Sequence, residues 1–99
     1  MRNYLALNAI FRALADPTRR WILEFLCDAD APVSVIAEPL PVSLVSVMRQ
    51  VRALELGGLI RTRKVGQLRV CAVEPGALRR LEHWAHEQRS RWERWQPPA

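Results

Sequence analysis

The side chains best suited to bind another molecule lie between positions 43 and 73, where arginine, lysine, glutamine and serine are concentrated. This stretch holds six basic residues and one acid, so it accounts for the chain's whole net charge of +5. Arginine and lysine bind phosphate, and arginine, glutamine and serine also form hydrogen bonds with the edges of nucleic-acid bases. A basic surface confined to one region is the electrostatic footprint of a polyanion, most often nucleic acid.

A helix over residues 43–56 would position the first of these side chains. Its core-facing stripe is predicted from four apolar residues at three- and four-residue steps. They are Leu44, Val47, Val51 and Leu54. The opposite arc, at about 100° per residue, exposes Val45, Arg49, Arg52 and Leu56, with Ser46 and Ala53 beside them and Met48 and Gln50 on the flanks. Ser43 is suited to cap the start of the helix, and Gly57-Gly58 supplies a residue that accepts a positive φ at its end.

A β-hairpin is expected to position the remaining basic residues. Its two strands, predicted over 59–64 and 68–73, flank Gly66, which permits a tight turn. The hairpin carries Arg61, Arg63, Lys64, Gln67 and Arg69. The basic surface therefore continues from the helix onto the hairpin.

Three further helices are expected before position 43. The first, over residues 3–14, is predicted from an apolar stripe of helical spacing. Its members are Tyr4, Leu7, Phe11 and Leu14. Asp16 is a good N-cap and Pro17 a good first residue for the second helix. That helix should bury Ile22, Phe25 and Leu26. Two prolines stop a third helix, over about 33–38, and leave a tight turn before residue 43.

A last helix, predicted over 75–95, is rich in tryptophan. Trp84, Trp92 and Trp95 fall within twelve residues, more than a domain of 99 residues can use internally. They could pack against the first helix of the same chain, but aromatic enrichment at interfaces favours a dimer face made by both terminal helices. The predicted interface residues are Tyr4, Leu7, Phe11, Leu81, Trp84, Trp92 and Trp95.

The sequence gives no indication of export, membrane insertion or catalysis. No apolar run approaches the length of about 18 residues that spans a membrane. Cys27 and Cys71 are isolated, and His83 and His86 fall on a polar helix face, so neither pair predicts a metal site. The chain has no nucleophile elbow, glycine-rich phosphate loop or HExxH motif. We therefore expect a cytoplasmic protein that is not an enzyme and that uses no metal or cofactor.

The elements together predict a mainly α domain over residues 1–99, a winged helix-turn-helix with five helices and a two-stranded wing. Four segments in this order resemble the ArsR/SmtB family of bacterial transcriptional repressors, and most closely a metal-independent branch of it. They are ALADPTRRWILEFL, SLVSVMRQVRALELGGLI, KVGQLRVCAVEP and the tryptophan-rich last helix. The resemblance implies a cytoplasmic homodimer that binds a palindromic DNA operator and represses transcription.

The chain departs from the family's patterns at two places. Val45-Ser46 and Gln50 stand where relatives commonly have Pro-Ala and His, so the operator sequence does not carry over. The Cys-x-Cys and Asp-x-His patterns of the family's metal sensors are absent from the sequence. The resemblance therefore implies no regulation by metal, and it identifies no inducer.

The helix over 43–56 and the wing over 59–73 are the predicted DNA-binding elements. The residues expected to contact DNA are Ser43, Val45, Ser46, Arg49, Gln50, Arg52, Arg61, Arg63, Lys64, Gln67 and Arg69. Arg49 is suited to guanine O6 and N7, Gln50 to adenine N6 and N7, and Val45 to a thymine methyl group. Ser46 is suited to several bases, and Ser43, at the helix N-terminus, to a phosphate.

A winged-helix module that binds proteins without specific DNA binding is the alternative. Apolar Val45 and Leu56 on the exposed arc favour it. The six basic residues between positions 49 and 69 favour DNA, because a duplex would lie where they are retained.

Overall fold

The structure is a computed structural model that describes residues 4–96. Tyr4 is described by its backbone alone, so its predicted interface side chain, like residue 3 of the predicted first helix, lies outside the described residues. Within this range the chain forms five helices and three short strands. In chain order they are α1 (Tyr4–Leu14), α2 (Pro17–Asp28), β1 (Ala31–Pro32), α3 (Val33–Ala37), α4 (Leu44–Leu56), β2 (Ile60–Val65), β3 (Leu68–Val73) and α5 (Pro75–Trp95).

The side chains predicted to cap α2 and α4 do so. Asp16 Oδ2 accepts a hydrogen bond from the Arg19 N–H at 3.0 Å, and Pro17 is the first residue of α2. Ser43 Oγ accepts a hydrogen bond from the Ser46 N–H at 3.1 Å at the start of α4. Each cap satisfies one of the backbone donors that a helix N-terminus leaves without an intrahelical partner.

The hydrophobic core lies where α1 to α4 pack against one another, the sheet and the first turn of α5. Its largest fully buried side chains are Ile10, Ile22, Ile36, Val47, Leu54, Leu59 and Cys71. Of the residues predicted on the core-facing stripe of α4, Val47, Val51 and Leu54 are buried. The prediction is wrong for Leu44, whose side chain is 51% exposed. Helical side chains point toward the N-terminus, so the first side chain of α4 points past the helix end and out of the core.

Helix α2 also buries less than the sequence predicts. Ile22 and Leu26 are buried, whereas Phe25 is only half-buried. The Phe25 ring packs against Trp21 with 5.4 Å between ring centroids, so the two aromatic rings cover the edge of the core together.

The sheet has one strand more than the predicted hairpin. β2 and β3 pair antiparallel, with Val65 opposite Leu68 and a turn at Gly66, whose φ of +60° is the conformation expected there. β1 pairs with the other edge of β3, and the strand order is β1-β3-β2. Pro32 fits this short strand because an edge strand tolerates a missing N–H donor. The third strand ties the start of α3 to the wing.

Helix α5 extends away from the rest of the molecule. The chain measures 59 × 26 × 21 Å and has a radius of gyration of 16.4 Å. A compact domain of this length has a radius of gyration of about 13 Å. Among the residues of α5, only Ala77 is fully buried. Within residues 4–96, therefore, most of the length of α5 is not packed against other elements.

Candidate nucleic-acid interface

The exposed side of α4 carries the arc of residues predicted from its helical spacing. Val45 and Leu56 are 64% and 76% exposed, and both Arg49 and Arg52 are exposed between them. The buried stripe on the other side of the helix fixes this orientation, because it holds α4 against the core. The arc therefore presents two guanidinium groups next to apolar side chains that are able to contact a thymine methyl group.

The first turn of α4 is suited to bind a phosphate. Ser43 is exposed, and its Oγ, which accepts the capping hydrogen bond from Ser46, retains an O–H that can donate outward. The positive end of the helix dipole lies at the same place. Ser46 is half-buried, so of the two serines Ser43 is the more accessible.

Hydrogen bonds join the wing-facing flank of α4 to the hairpin. The Thr62 N–H and Oγ1 donate to Glu55 Oε2, at 3.3 and 2.9 Å. Arg69 Nη1 donates to Thr62 Oγ1 at 3.1 Å. The sequence analysis missed Glu55 and Thr62, although Glu55 is the one acid among the basic residues of positions 43–73. These contacts bring Arg69 of the wing beside the exposed arc of α4.

A groove of about 460 Å³ lies between α4 and the wing. Its lining residues are Val33, Val45, Met48, Arg49, Val51, Arg52, Glu55, Thr62 and Arg69. Three of them are predicted DNA-binding arginines, two from the helix and one from the wing. The first and last of these arginines are 20 positions apart in the sequence, and the structure brings all three guanidinium groups to one concave surface.

The other flank of α4 is held by a residue that the sequence analysis did not single out. Arg19 Nη1 donates to Gln50 Oε1 at 2.9 Å, and Gln50 is half-buried. The same guanidinium group donates to the carbonyl oxygens of Ala13 at 2.6 Å and Arg12 at 3.0 Å, at the end of α1. The predicted contact of Gln50 with adenine N6 and N7 uses both the oxygen and the NH₂ group of its amide, but the oxygen is bound by Arg19 within the chain.

Two wing arginines form ion pairs at the surface. Arg61 lies 3.3 Å from a Glu74 oxygen, and Arg63 lies 3.8 Å from an Asp30 oxygen. Exposed pairs of this kind contribute about 0–1 kcal/mol, so a phosphate can replace the carboxylate at little cost. Lys64 and Gln67 are exposed on either side of the hairpin turn. All four side chains are thus accessible to a polyanion.

The predicted interface residues fall into two groups. Phe11 and Trp84 pack edge to face, with 5.5 Å between ring centroids, so α1 and α5 meet at this point. Leu7 and Leu81 are half-buried. Trp92 and Trp95 are 60% and 74% exposed, farther along α5. Packing within the chain therefore covers part of this surface and leaves its outer tryptophans exposed.

The histidines and cysteines do not form a cluster of metal ligands. Over residues 4–96 no group of three His, Cys, Asp or Glu side chains lies close enough together to bind a metal ion. His83 Nε2 lies 3.1 Å from Glu87, and His86 lies 3.3 Å from an Arg89 nitrogen. Cys71 is buried, and burial, together with the nearby charge of Glu55, raises the pKa of its thiol to about 11. That thiol is therefore protonated near neutral pH.

The helices in the described part of the chain are too short or too polar to cross a membrane.

The chain is similar to known regulators of transcription over most of its length. A family model described as "Helix-turn-helix domain" matches residues 14–63. The HTH-type transcriptional regulator Rv2034 of Mycobacterium tuberculosis is 35% identical over 82% of this chain and 76% of its own length. The transcriptional repressor SdpR of Bacillus subtilis is 30% identical over 79% of this chain and 87% of its own length.

Solved structures share the fold. The crystal structure of an ArsR family transcriptional regulator is 45% identical, covers 89% of this chain and 97% of its own, and superposes with a TM-score of 0.86. A homodimeric winged helix-turn-helix DNA-binding domain from Mycobacterium bovis has a TM-score of 0.71 at 24% identity, over 96% of this chain and 89% of its own, and shows a likeness of fold. These similarities support DNA-binding regulation over the protein-interaction alternative. The chain belongs to the ArsR family of winged helix-turn-helix transcriptional regulators.

Proposed function

We propose that the chain acts as a homodimeric repressor that binds a palindromic DNA operator in the cytoplasm, through α4 and the wing. The groove shared by α4 and the wing carries the proposal, because it joins three arginines with exposed side chains suited to bases and phosphates. The chain has no role as an enzyme in this proposal. Its proposed function is to bind the operator.

Helix α4 reads bases from the major groove. A helix fits this groove, and arginine contacts guanine O6 and N7 there with two hydrogen bonds. Arg49 lies near the centre of the exposed arc and is the main candidate for this contact. Val45 is exposed one turn before it and is suited to a thymine methyl group. Arg52 is exposed one turn after it and reaches a base or the adjoining backbone.

The wing holds the protein on the DNA backbone. Arg61, Arg63 and Lys64 lie on β2, and each is exposed. Contacts with phosphates position a protein on the duplex without reading its sequence. The hydrogen bonds between Glu55 and Thr62 keep the wing beside α4, so that helix and wing engage one duplex together.

The dimer forms through α1 and α5. Trp92 and Trp95 present exposed aromatic surface on a helix that the described part of the chain leaves largely uncovered. Aromatic residues are enriched in the core of protein–protein interfaces. The similar domain from Mycobacterium bovis is described as homodimeric. Two α4 helices related by a twofold axis would contact two half-sites, which is why we expect the operator to be palindromic.

Repression follows from occupancy of the operator. The relative SdpR is named a transcriptional repressor. A dimer that covers two half-sites in a promoter excludes other proteins from the same DNA. Regulation of this kind needs no catalytic group.

Selection of bound sequences from a random DNA pool tests the proposal. We expect a palindromic consensus with half-sites about 10 to 10.5 base pairs apart, or a multiple of that. Arg49→Ala should weaken binding to the consensus by about 1–3 kcal/mol and remove the preference at one base pair of each half-site, with a smaller loss on random DNA. Arg79→Ala, a loss of the same charge from an exposed position on α5, is the matched control and should leave base preference unchanged. A pool that yields no consensus would contradict the proposal.

A further inference from the structure

We propose that Arg19 positions Gln50 so that the amide NH₂ group of Gln50, and not its oxygen, faces the DNA. Gln50 would then select guanine or thymine instead of the adenine expected from its residue type. The inference deepens the proposed function and rests on it. It makes Arg19, which lies outside α4 and the wing, a positioning residue that determines base specificity.

The partner of Gln50 fixes the orientation of its amide. Gln50 Oε1 accepts a hydrogen bond from Arg19 Nη1 at 2.9 Å. A guanidinium group has five N–H donors and no acceptor, so the amide NH₂ group cannot take the place of the oxygen in this contact. The oxygen therefore faces Arg19. The NH₂ group, on the other side of the amide carbon, is left free of this contact.

Arg19 is held independently of Gln50. Its Nε donates to the Ala13 carbonyl oxygen at 2.6 Å and its Nη2 to the Arg12 carbonyl oxygen at 3.0 Å, so the end of α1 binds two of its three nitrogens. Its backbone N–H is bound by the Asp16 cap. Because the guanidinium group is fixed by α1, the flexible glutamine side chain adjusts to it.

An oriented amide changes which base fits. The paired contact of glutamine with adenine requires the oxygen to accept from N6 while the NH₂ group donates to N7. With the oxygen turned to Arg19, the NH₂ group is what remains for the base, and it needs acceptors. Guanine offers two acceptors, O6 and N7, and thymine offers O4. Adenine still offers N7 as an acceptor, but its N6 amino group is left without the partner that the glutamine oxygen would have supplied. Guanine or thymine is therefore expected opposite Gln50.

Sequence selection with four proteins tests this assignment. Wild type should prefer guanine or thymine over adenine by about 3- to 10-fold at one position of each half-site, the effect of a hydrogen bond. Gln50→Ala should abolish the preference at that position alone. Arg19→Met keeps an apolar stem of similar length and removes the donors, so it should shift the preference toward adenine. Arg20→Met is the matched control, because Arg20 Nη1 also binds the end of α1, donating to the Leu14 carbonyl oxygen at 2.7 Å.

A positioning role differs from a purely structural one in the double variant. Adding Arg19→Met to Gln50→Ala should cause no further change in preference at that position, because the amide through which Arg19 acts is gone. Arg20→Met should keep the wild-type preference throughout. An equal shift in Arg19→Met and Arg20→Met would overturn the inference, because the effect would then come from the end of α1.

The outcomes also separate this inference from the proposed function. A wild-type preference for adenine, or a preference unchanged by Gln50→Ala, overturns the inference and leaves the proposed function in place. Both results are available even where Arg19→Met fails to fold. Wild-type protein that selects no consensus at any position overturns both.

Discussion

Helices α4 and α5 differ in what holds them in place. α4 has 13 residues, buries three side chains in the core, and is bound on its two flanks by Arg19 and Thr62. α5 has 21 residues and fully buries only Ala77 among them, with its outer tryptophans exposed. Residues 4–96 therefore hold α4 on three sides but cover little of α5. This difference is what we expect if the proposed reading surface is complete in the monomer and a second copy completes the surface of α5.

The largest expected effect is on α4. Leu54→Ala removes a fully buried side chain of this helix and should lower the free energy of unfolding by about 2–5 kcal/mol. Small domains have a margin of about 5–15 kcal/mol, so much of the stability would be lost. Urea denaturation followed by circular dichroism measures the change. Leu44→Ala, at the exposed first position of the same helix, is the control and should change stability by well under half as much.

The next effect concerns α5 and self-association. Trp92→Ala removes exposed aromatic surface from the proposed interface and should weaken dimerisation by about 2 kcal/mol or more, the range of an interface hot spot. Loss of the dimer would also remove its contribution to stability, so partial unfolding is expected with dissociation. Sedimentation equilibrium measures the association constant, with Arg94→Ala on the same helix as the control. Wild-type protein that is monomeric at micromolar concentration would refute the second half of the comparison.

DNA binding and dimerisation should differ in how strongly they depend on salt concentration. Lys64→Ala removes a proposed phosphate contact of the wing. It should reduce the magnitude of the slope of log affinity against log salt by about 0.9 for each protomer, equally for all DNA sequences. Base preference should survive. Dimerisation through the apolar surface of α5 should depend far less on salt. DNA-binding titrations at several salt concentrations, compared with sedimentation in the same buffers, give both dependences; loss of base preference in Lys64→Ala would mean that the wing reads sequence.

The smallest expected effect is that of zinc on the polar face of α5. His83 and His86 interact with Glu87 and Arg89 of the same helix, and no third metal ligand clusters with them in residues 4–96. Zinc should therefore change operator affinity by no more than a few-fold, less than an allosteric coupling of about 1–3 kcal/mol produces. A titration of operator binding with zinc measures this. A larger loss that disappears in His83→Ala would show that α5 carries a regulatory metal site.

Local patterns predict the parts of this fold that local interactions form. Asp16 and Ser43 act as caps, Gly66 forms the turn, and three of four predicted core residues of α4 are buried. The prediction for the fourth, Leu44, is wrong because helical spacing assigns a residue to a face of the helix but does not show that the helix begins at that residue. The sequence does not predict β1, because a strand of two residues is too short to show an alternation of apolar and polar side chains. This strand is defined only by its pairing with β3.

The side-chain contacts of the site are harder to predict than its location. Helical spacing correctly places Arg49 and Arg52 on the exposed arc of α4. It does not show that Arg19 binds Gln50, 31 residues away, because that contact depends on how α1 and α2 pack against α4. The contact of Glu55 with Thr62 likewise requires the hairpin to fold back on the helix. The DNA contacts and the interface residues themselves stay predictions.

Gly57 lies where α1 crosses the end of α4. A Cβ atom at this position would lie 2.7 Å from Ala13 Cβ and 3.1 Å from the Ala9 carbonyl oxygen, so the two helices meet at nearly backbone distance. Such a close contact leaves little freedom in the crossing angle between α4 and the helix that we propose at the dimer axis. In the proposed dimer, the distance between the two α4 helices would then be nearly fixed, and with it the spacing between half-sites that the dimer can bind. One inserted base pair moves a half-site by about 3.4 Å and rotates it by about 35°, so spacing becomes part of the protein's specificity alongside base identity.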